Sequence, residues 1–205
     1  MTNLLVCAGK SESFEFAKSI GIGLIETAIT LTNILTKKAL EDDLPKQIIF
    51  VGTAGIYKKG EILEIYESSR ASNLEISKLL NLSYSPLNLE NPLNVSRETS
   101  LTKSSNIVIN SSNFITQDKN LAAKFYENGF DLENMEFYSI LSVANFFKIK
   151  CKAVVSATNF CDENAHKMFI KNHAAAKEKL KIYIKEKGLI WKIYLILQKM
   201  NSVNL

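Results

Sequence analysis

Arginine is nearly absent from this chain: Arg70 and Arg97 are the two among 205 residues, and the formal net charge of +4 rests on lysines spread along the length. No basic run is long enough to track a phosphate backbone, and cations are not interleaved with aromatics, so nucleic acid is not an expected partner. Cysteine is scarce and odd in number, with Cys7, Cys151 and Cys161 far apart in mostly apolar surroundings. That spacing argues against a disulfide framework and against zinc, and for thiols in a reducing compartment. No window reaches the roughly 18 apolar residues that a membrane span needs, and the N-terminus lacks a basic segment followed by a long apolar one. A cytoplasmic protein with no membrane partner is the expectation. Internal repeats and low-complexity linkers are absent too.

What the chain does contain is an alternation of short apolar runs and longer amphipathic ones. With 46% hydrophobic residues, its length suffices to bury one sizeable core, so a single domain is expected. Leu4-Leu5-Val6-Cys7-Ala8, closed by Gly9, has the composition of a buried strand, and the alternating Phe14-Glu15-Phe16-Ala17 is expected to pair beside it. Leu24, Ile25, Ala28, Ile29, Leu31, Ile34 and Leu35 recur at the three-and-four spacing of one buried helical face, and Pro45 stops any continuation. Gln47 to Val51 predicts a second strand, with Gly52-Thr53-Ala54-Gly55 as a tight loop after it. A strand from Glu61 to Tyr66 follows, and residues 68–104, rich in Ser and Asn with Pro86 and Pro92, are expected to be mostly loop with one short helix. Beyond them the pattern predicts a strand at Asn106 to Ile109, helices at Lys119 to Glu127 and Met135 to Lys148, a strand at Cys151 to Ser156 and a helix at Asp162 to Lys185.

Strands alternating with helices predict a single α/β domain, a central mixed sheet flanked by helices. It is expected to span residues 1–188, leaving the apolar segment 189–205 as a tail that docks or frays. In such a sheet the site is built after the carboxyl ends of the strands. Four places qualify: Gly9-Lys10-Ser11-Glu12, Gly52-Thr53-Ala54-Gly55, Asn113-Phe114-Ile115 and Thr158-Asn159. The loop from Gly52 offers backbone amides and a hydroxyl to an anion or a ribose oxygen, or else is a small-residue turn made for packing. Glu136, opening an apolar helix, is either a charge complementing the helix dipole or a functional carboxylate. His166 and His173, seven apart on the last helix, have no metal-ligand pattern around them, and no metal or cofactor is expected.

Taken together, Gly52-Thr53-Ala54-Gly55, Met135-Glu136, Thr158-Asn159 and the helix-opening Ser19-Ile20-Gly21-Ile22-Gly23 resemble the motifs of the purine nucleoside phosphorylase and nucleosidase superfamily, over about Leu4 to Leu180. The resemblance implies cleavage of the bond between a purine and ribose through a transition state with oxocarbenium character. Glu136 would bind the ribose hydroxyls and favour positive charge on the sugar, Met135 would pack on its apolar face, and Asn159 would assist the leaving purine near N7. Phe114 would stack on the base and the main chain at Ile115 would read its edge, although a core aromatic and aliphatic fit that pattern equally.

The departures from the family pattern bear on specificity. Nucleosidases of adenine compounds carry Asp where Asn159 stands, and Asn resembles the enzymes of 6-oxopurines. Hexameric phosphorylases place an arginine where Phe50 stands, so phosphate would rely on Lys10, Thr53, amides such as that of Gly52, or Arg70 or Arg97. Hydrolases of the superfamily have a glutamate after the first strand that activates water, which Glu12 matches. The chain is also shorter than typical members, and the superfamily implies a homodimer or larger homo-oligomer. A phosphorylase of a 6-oxopurine nucleoside with phosphate as acceptor is therefore the leading expectation. A nucleosidase using Glu12 and water is the alternative, and an inactive nucleoside-binding protein a further one.

Overall fold

The computed structural model describes residues 3–87 and 107–189. The chain runs through β1 (Asn3–Cys7), β2 (Lys18–Ser19), α1 (Leu24–Leu40), β3 (Gln47–Ile56), β4 (Ile65–Ser68), β5 (Arg70–Ser72) and α2 (Ile76–Leu79). It continues through β6 (Val108–Ser111), α3 (Lys119–Glu127), β7 (Leu132–Asn134), α4 (Phe137–Phe146), β8 (Lys150–Phe160) and α5 (Ala165–Glu186). The strands form one mixed sheet in the order β2-β1-β3-β7-β6-β5, with β8 paired to β3 and β4 paired to β8. This is the single α/β domain the sequence predicts.

β3 is buried on both faces because its side chains alternate between two apolar layers. Ile48 and Phe50 belong to a cluster with Leu31 and Leu35 of α1 and Ile140 and Ala144 of α4. Ile49 and Val51 point the other way, into a cluster with Leu180 and Ile184 of α5. A third cluster, Tyr57, Ala122, Phe125 and Cys161, seats α3 beyond the carboxyl end of β3. Phe50 is fully buried and stacks on Phe137 with ring centroids 6.2 Å apart.

Several sequence expectations need correction. Gly52 to Gly55 is not a loop: β3 continues through it, paired residue by residue with β8 up to a register shift after Ala54. Its glycines serve close approach rather than turning. A Cβ on Gly52 would lie 2.6 Å from the Phe50 ring, and one on Gly55 2.8 Å from the Cys161 sulfur. Similarly, β8 does not stop at Ser156 but carries Thr158 and Asn159 within it. Phe14 to Ala17 is a turn rather than a strand, because Phe14 is drawn into the α5 cluster; the strand beside β1 is the short parallel β2. The strand expected from Glu61 begins at Ile65, after a turn with Leu63 at φ +67°. In α1, Leu31 and Leu35 are buried as expected and Thr27 joins them, but Ile25 and Ile29 are exposed. β7 was not legible in the sequence.

The short helix expected within 68–104 is α2, while residues 88–106, with Pro92, Arg97 and Asn106, lie outside the described residues, as does the tail from 190 to 205. Among the described residues no helix is long and apolar enough to cross a membrane.

Candidate functional site

The sheet forks beside β3. β8 occupies one edge of β3 along its whole length, so β1 and β7 must share the other. β1 pairs with that edge as far as Phe50, and β7 joins it, antiparallel, from Gly55. Between these points residues 51–54 face no strand, and the gap opens into a cavity of about 240 Å³ at the carboxyl end of β1. A crevice where neighbouring strands part is where open α/β sheets bind ligands.

Glu12 closes one side of the fork. Its amide donates to the Gly9 carbonyl at 3.0 Å, and the turn between them uses positive φ at Gly9 (+99°) and Lys10 (+52°). The carboxylate then takes the place of the missing strand: Oε2 accepts from the Thr53 amide at 3.3 Å, and Oε1 accepts from the Thr53 hydroxyl. Burial raises the Glu12 pKa, partly offset by these bonds and by the Lys177 charge.

Glu136 closes the other side. It occupies the position preceding α4 but makes no side-chain cap there; Asn134 does that work, its Oδ1 accepting from the amides of Glu136 and Phe137 and from Ser111 Oγ. The Glu136 carboxylate instead accepts from the Gly23 amide at the start of α1 and from the Met135 amide, each at 3.2 Å. It therefore meets the positive end of the α1 dipole. Burial, then the nearby Glu12 charge, push its pKa up to about 7, against the two amide bonds.

Asn159 reaches the cavity through a bulge. In β8 the register moves from Ala54↔Ala157 to Gly55↔Asn159, leaving Thr158 as an extra residue. Successive strand residues normally point to opposite faces, and the bulge lets both Thr158 and Asn159 line the cavity. Asn159 Oδ1 accepts from the Thr158 hydroxyl at 2.8 Å and its Nδ2 donates to the Phe160 carbonyl at 3.0 Å, leaving the second Nδ2 hydrogen unused by these bonds.

Of the residues singled out in the sequence, Glu12, Thr53, Ile115, Met135, Glu136 and Asn159 line this one cavity. Lys10, Gly52 and Phe114 do not: Lys10 is exposed on its turn, Gly52 lies behind Glu12 and Phe50, and the Phe114 side chain is 74% exposed. The anion site that phosphate needs is not assembled among the described residues. No lysine or arginine lines the cavity, Arg70 is exposed on β5, and Phe50 is committed to the core. The described residues likewise contain no cluster suited to a metal.

No protein-family model matches this sequence, and no curated protein does. Solved structures match along nearly the whole chain. A futalosine hydrolase mutant from Helicobacter pylori superposes with a TM-score of 0.68 at 16% identity, covering 90% of this chain and 97% of that one. A putative 5′-methylthioadenosine/S-adenosylhomocysteine nucleosidase from Borrelia burgdorferi, bound to adenine, gives 0.67 at 17% identity, covering 94% and 100%. The corresponding nucleosidase from S. pneumoniae, with a transition-state inhibitor, gives 0.65 at 10% identity, covering 88% and 95%. The fold is that of these hydrolase and nucleosidase structures.

Within this fold the structure adds residues that the sequence did not announce. Glu133, on β7, lines the cavity as a third buried carboxylate, accepting from the Thr116 amide (2.9 Å) and hydroxyl (2.5 Å), the Tyr57 hydroxyl (3.0 Å) and the Cys161 thiol (3.6 Å). Burial raises its pKa, against those bonds, and burial also raises those of Tyr57 and Cys161 beside it. The available signal was an acid two residues before Met135-Glu136, in a strand too short to show alternation. His166 and Phe169 of α5 complete the wall.

Proposed function

We propose that this protein hydrolyses the N-glycosidic bond of a purine nucleoside, with Glu12 activating water. The observation that carries this is the pairing of Glu12 and Glu136 across one cavity whose wall contains no lysine or arginine. A phosphate dianion entering there would meet carboxylates and no paired cation, at a cost water does not incur. The matched structures are of a hydrolase and of nucleosidases, which supports water over phosphate as well.

In this mechanism the C1′–N9 bond breaks with its electron pair moving to the purine. Glu136, having two oxygens held by backbone amides, accepts from the 2′- and 3′-hydroxyls and stabilises the positive charge growing on the ribose. Met135 packs on the sugar, and the Ile115 main chain faces the base. The free Nδ2 hydrogen of Asn159 bonds to purine N7; an amide cannot give up a proton, so the proton that neutralises the departing base comes from solvent. The water oxygen bonds to C1′ and its proton passes to Glu12. The base we assign is a 6-oxopurine, whose edge an amide can both donate to and accept from. Adenine, present in the Borrelia burgdorferi structure, is the competing base. Phe114 and Ile115 at the rim, with Ile25 exposed on α1, support a homo-oligomer.

Base release from inosine is expected at the same rate with and without phosphate, yielding free ribose; a phosphate requirement with ribose 1-phosphate as product would overturn hydrolysis. Asn159→Asp is expected to shift preference toward adenosine by about tenfold or more, read as the ratio of kcat/KM values, since a carboxyl group can protonate N7. An unchanged ratio would move base recognition elsewhere.

A further inference from the structure

Phe169, His173 and Lys177 follow one another at intervals of four along α5, and so share one face of the helix. All three meet the cavity or the turn that carries Glu12. Phe169 lines the cavity and holds the His173 ring at 4.9 Å between centroids. Lys177 Nζ donates to the Ser11 carbonyl at 2.7 Å. Between them, His173 Nε2 is buried without a hydrogen-bond partner, 4.0 Å from Glu12 Oε1. A buried ring nitrogen with no partner is costly to keep. Here the atom facing it is the carboxylate oxygen whose other contact is the Thr53 hydroxyl. An approach of about 1 Å makes the bond, and such contacts tighten in the occupied state of a site.

We propose that His173 is a positioning residue for Glu12: its Nε2 takes up the carboxyl proton, leaving Glu12 ionised and correctly turned to receive a proton from water. The O–H bond of Glu12 breaks as an N–H bond forms on the imidazole, with no change of oxidation state. This rests on the hydrolytic role given to Glu12 above. The groups that bear on the exchange are Glu12 on the turn after β1, Lys177 one turn along α5, and Glu136 across the cavity. Burial, then Lys177, depress the His173 pKa, while burial raises that of Glu12. The two are thereby brought toward each other, the condition for a shared proton.

The test uses the full chain with its histidines labelled with nitrogen-15; the chain has two, and His166→Gln assigns them. In the wild type the imidazolium form of His173 is expected to persist to higher pH than in Glu12→Gln, by about one unit or more. Identical titration in the two proteins would overturn the pairing, without requiring that any His173 variant fold. In His173→Gln, kcat for base release is expected to fall about tenfold or more with KM within about twofold, and the acid limb of the pH profile to move upward. Full activity with an unmoved limb overturns the positioning role. Glu12→Gln separates this from the hydrolytic reading: if it still releases base at the wild-type rate, Glu12 is not the base, whatever His173 does.

Discussion

Glu133 and Glu136 stand three residues apart, line the same cavity and are nearly fully buried, yet they are opposites. A carboxylate has about four acceptor sites. Glu133 meets four donors, from Thr116, Tyr57 and Cys161, and so has nothing left for a ligand. Glu136 meets two backbone amides and keeps two sites free, which matches the number of hydroxyls in a ribose diol. Burial raises the pKa of both, so an abnormal pKa does not tell them apart. What separates a structural carboxylate from one available for chemistry here is the number of acceptor sites left vacant.

The sharpest way to break this contrast is Glu136→Gln, which keeps the shape but removes the charge facing the sugar. Base release is expected to fall by about 10²–10³-fold, with the melting temperature unchanged or raised. A large loss of stability with activity retained would place Glu136 with Glu133. Glu133→Leu should behave in the reverse way. It strands the Thr116 amide and hydroxyl and the Tyr57 hydroxyl, and urea unfolding is expected to show a loss of about 2–4 kcal/mol. A variant as stable as the wild type would show that those donors find water or other partners.

The smallest effect is the pH dependence of the ligand-free protein. Glu136 is protonated in both folded and unfolded states below its ordinary value of 4.5, and its folded pKa is about 7. Between those values the unfolded chain releases the proton and the folded one retains it. Stability is therefore lost as pH rises from about 4.5 through 7, by on the order of 3 kcal/mol. Glu12 and Glu133, also raised, act in the same direction. Denaturation measured across this window should slope downward, and less steeply in Glu136→Gln; equal slopes would mean that Glu136 ionises normally.

The legible part of the site was that carried by residue type and order. Met135-Glu136 and Thr158-Asn159 stand out because polar side chains border an apolar run. The helices and the longer strands were legible for the same reason. β7 was not, since Leu132–Asn134 is three residues with no period to detect, and its burial comes from neighbours rather than from its own composition. Gly52 to Gly55 misled in the other direction. Small residues suggest a loop when only local conformation is weighed, but here they let the Phe50 ring and the Cys161 sulfur approach the backbone. Ile25 and Ile29 fit the helical period yet lie on its open side.

By itself the sequence determined the α/β class, the α1, α4 and α5 helices and the identity of the chemical groups, because hydrophobic period and residue type are properties of short stretches of chain. The tertiary structure decided where the sheet forks, that Lys10 stays outside while Glu12 turns in, and how many acceptor sites each carboxylate retains. These depend on atoms distant in the chain: one of the two amides that hold Glu136 belongs to Gly23, 113 residues away. A vacant lone pair is defined by the donors that fail to reach it, and only the folded chain determines which donors those are.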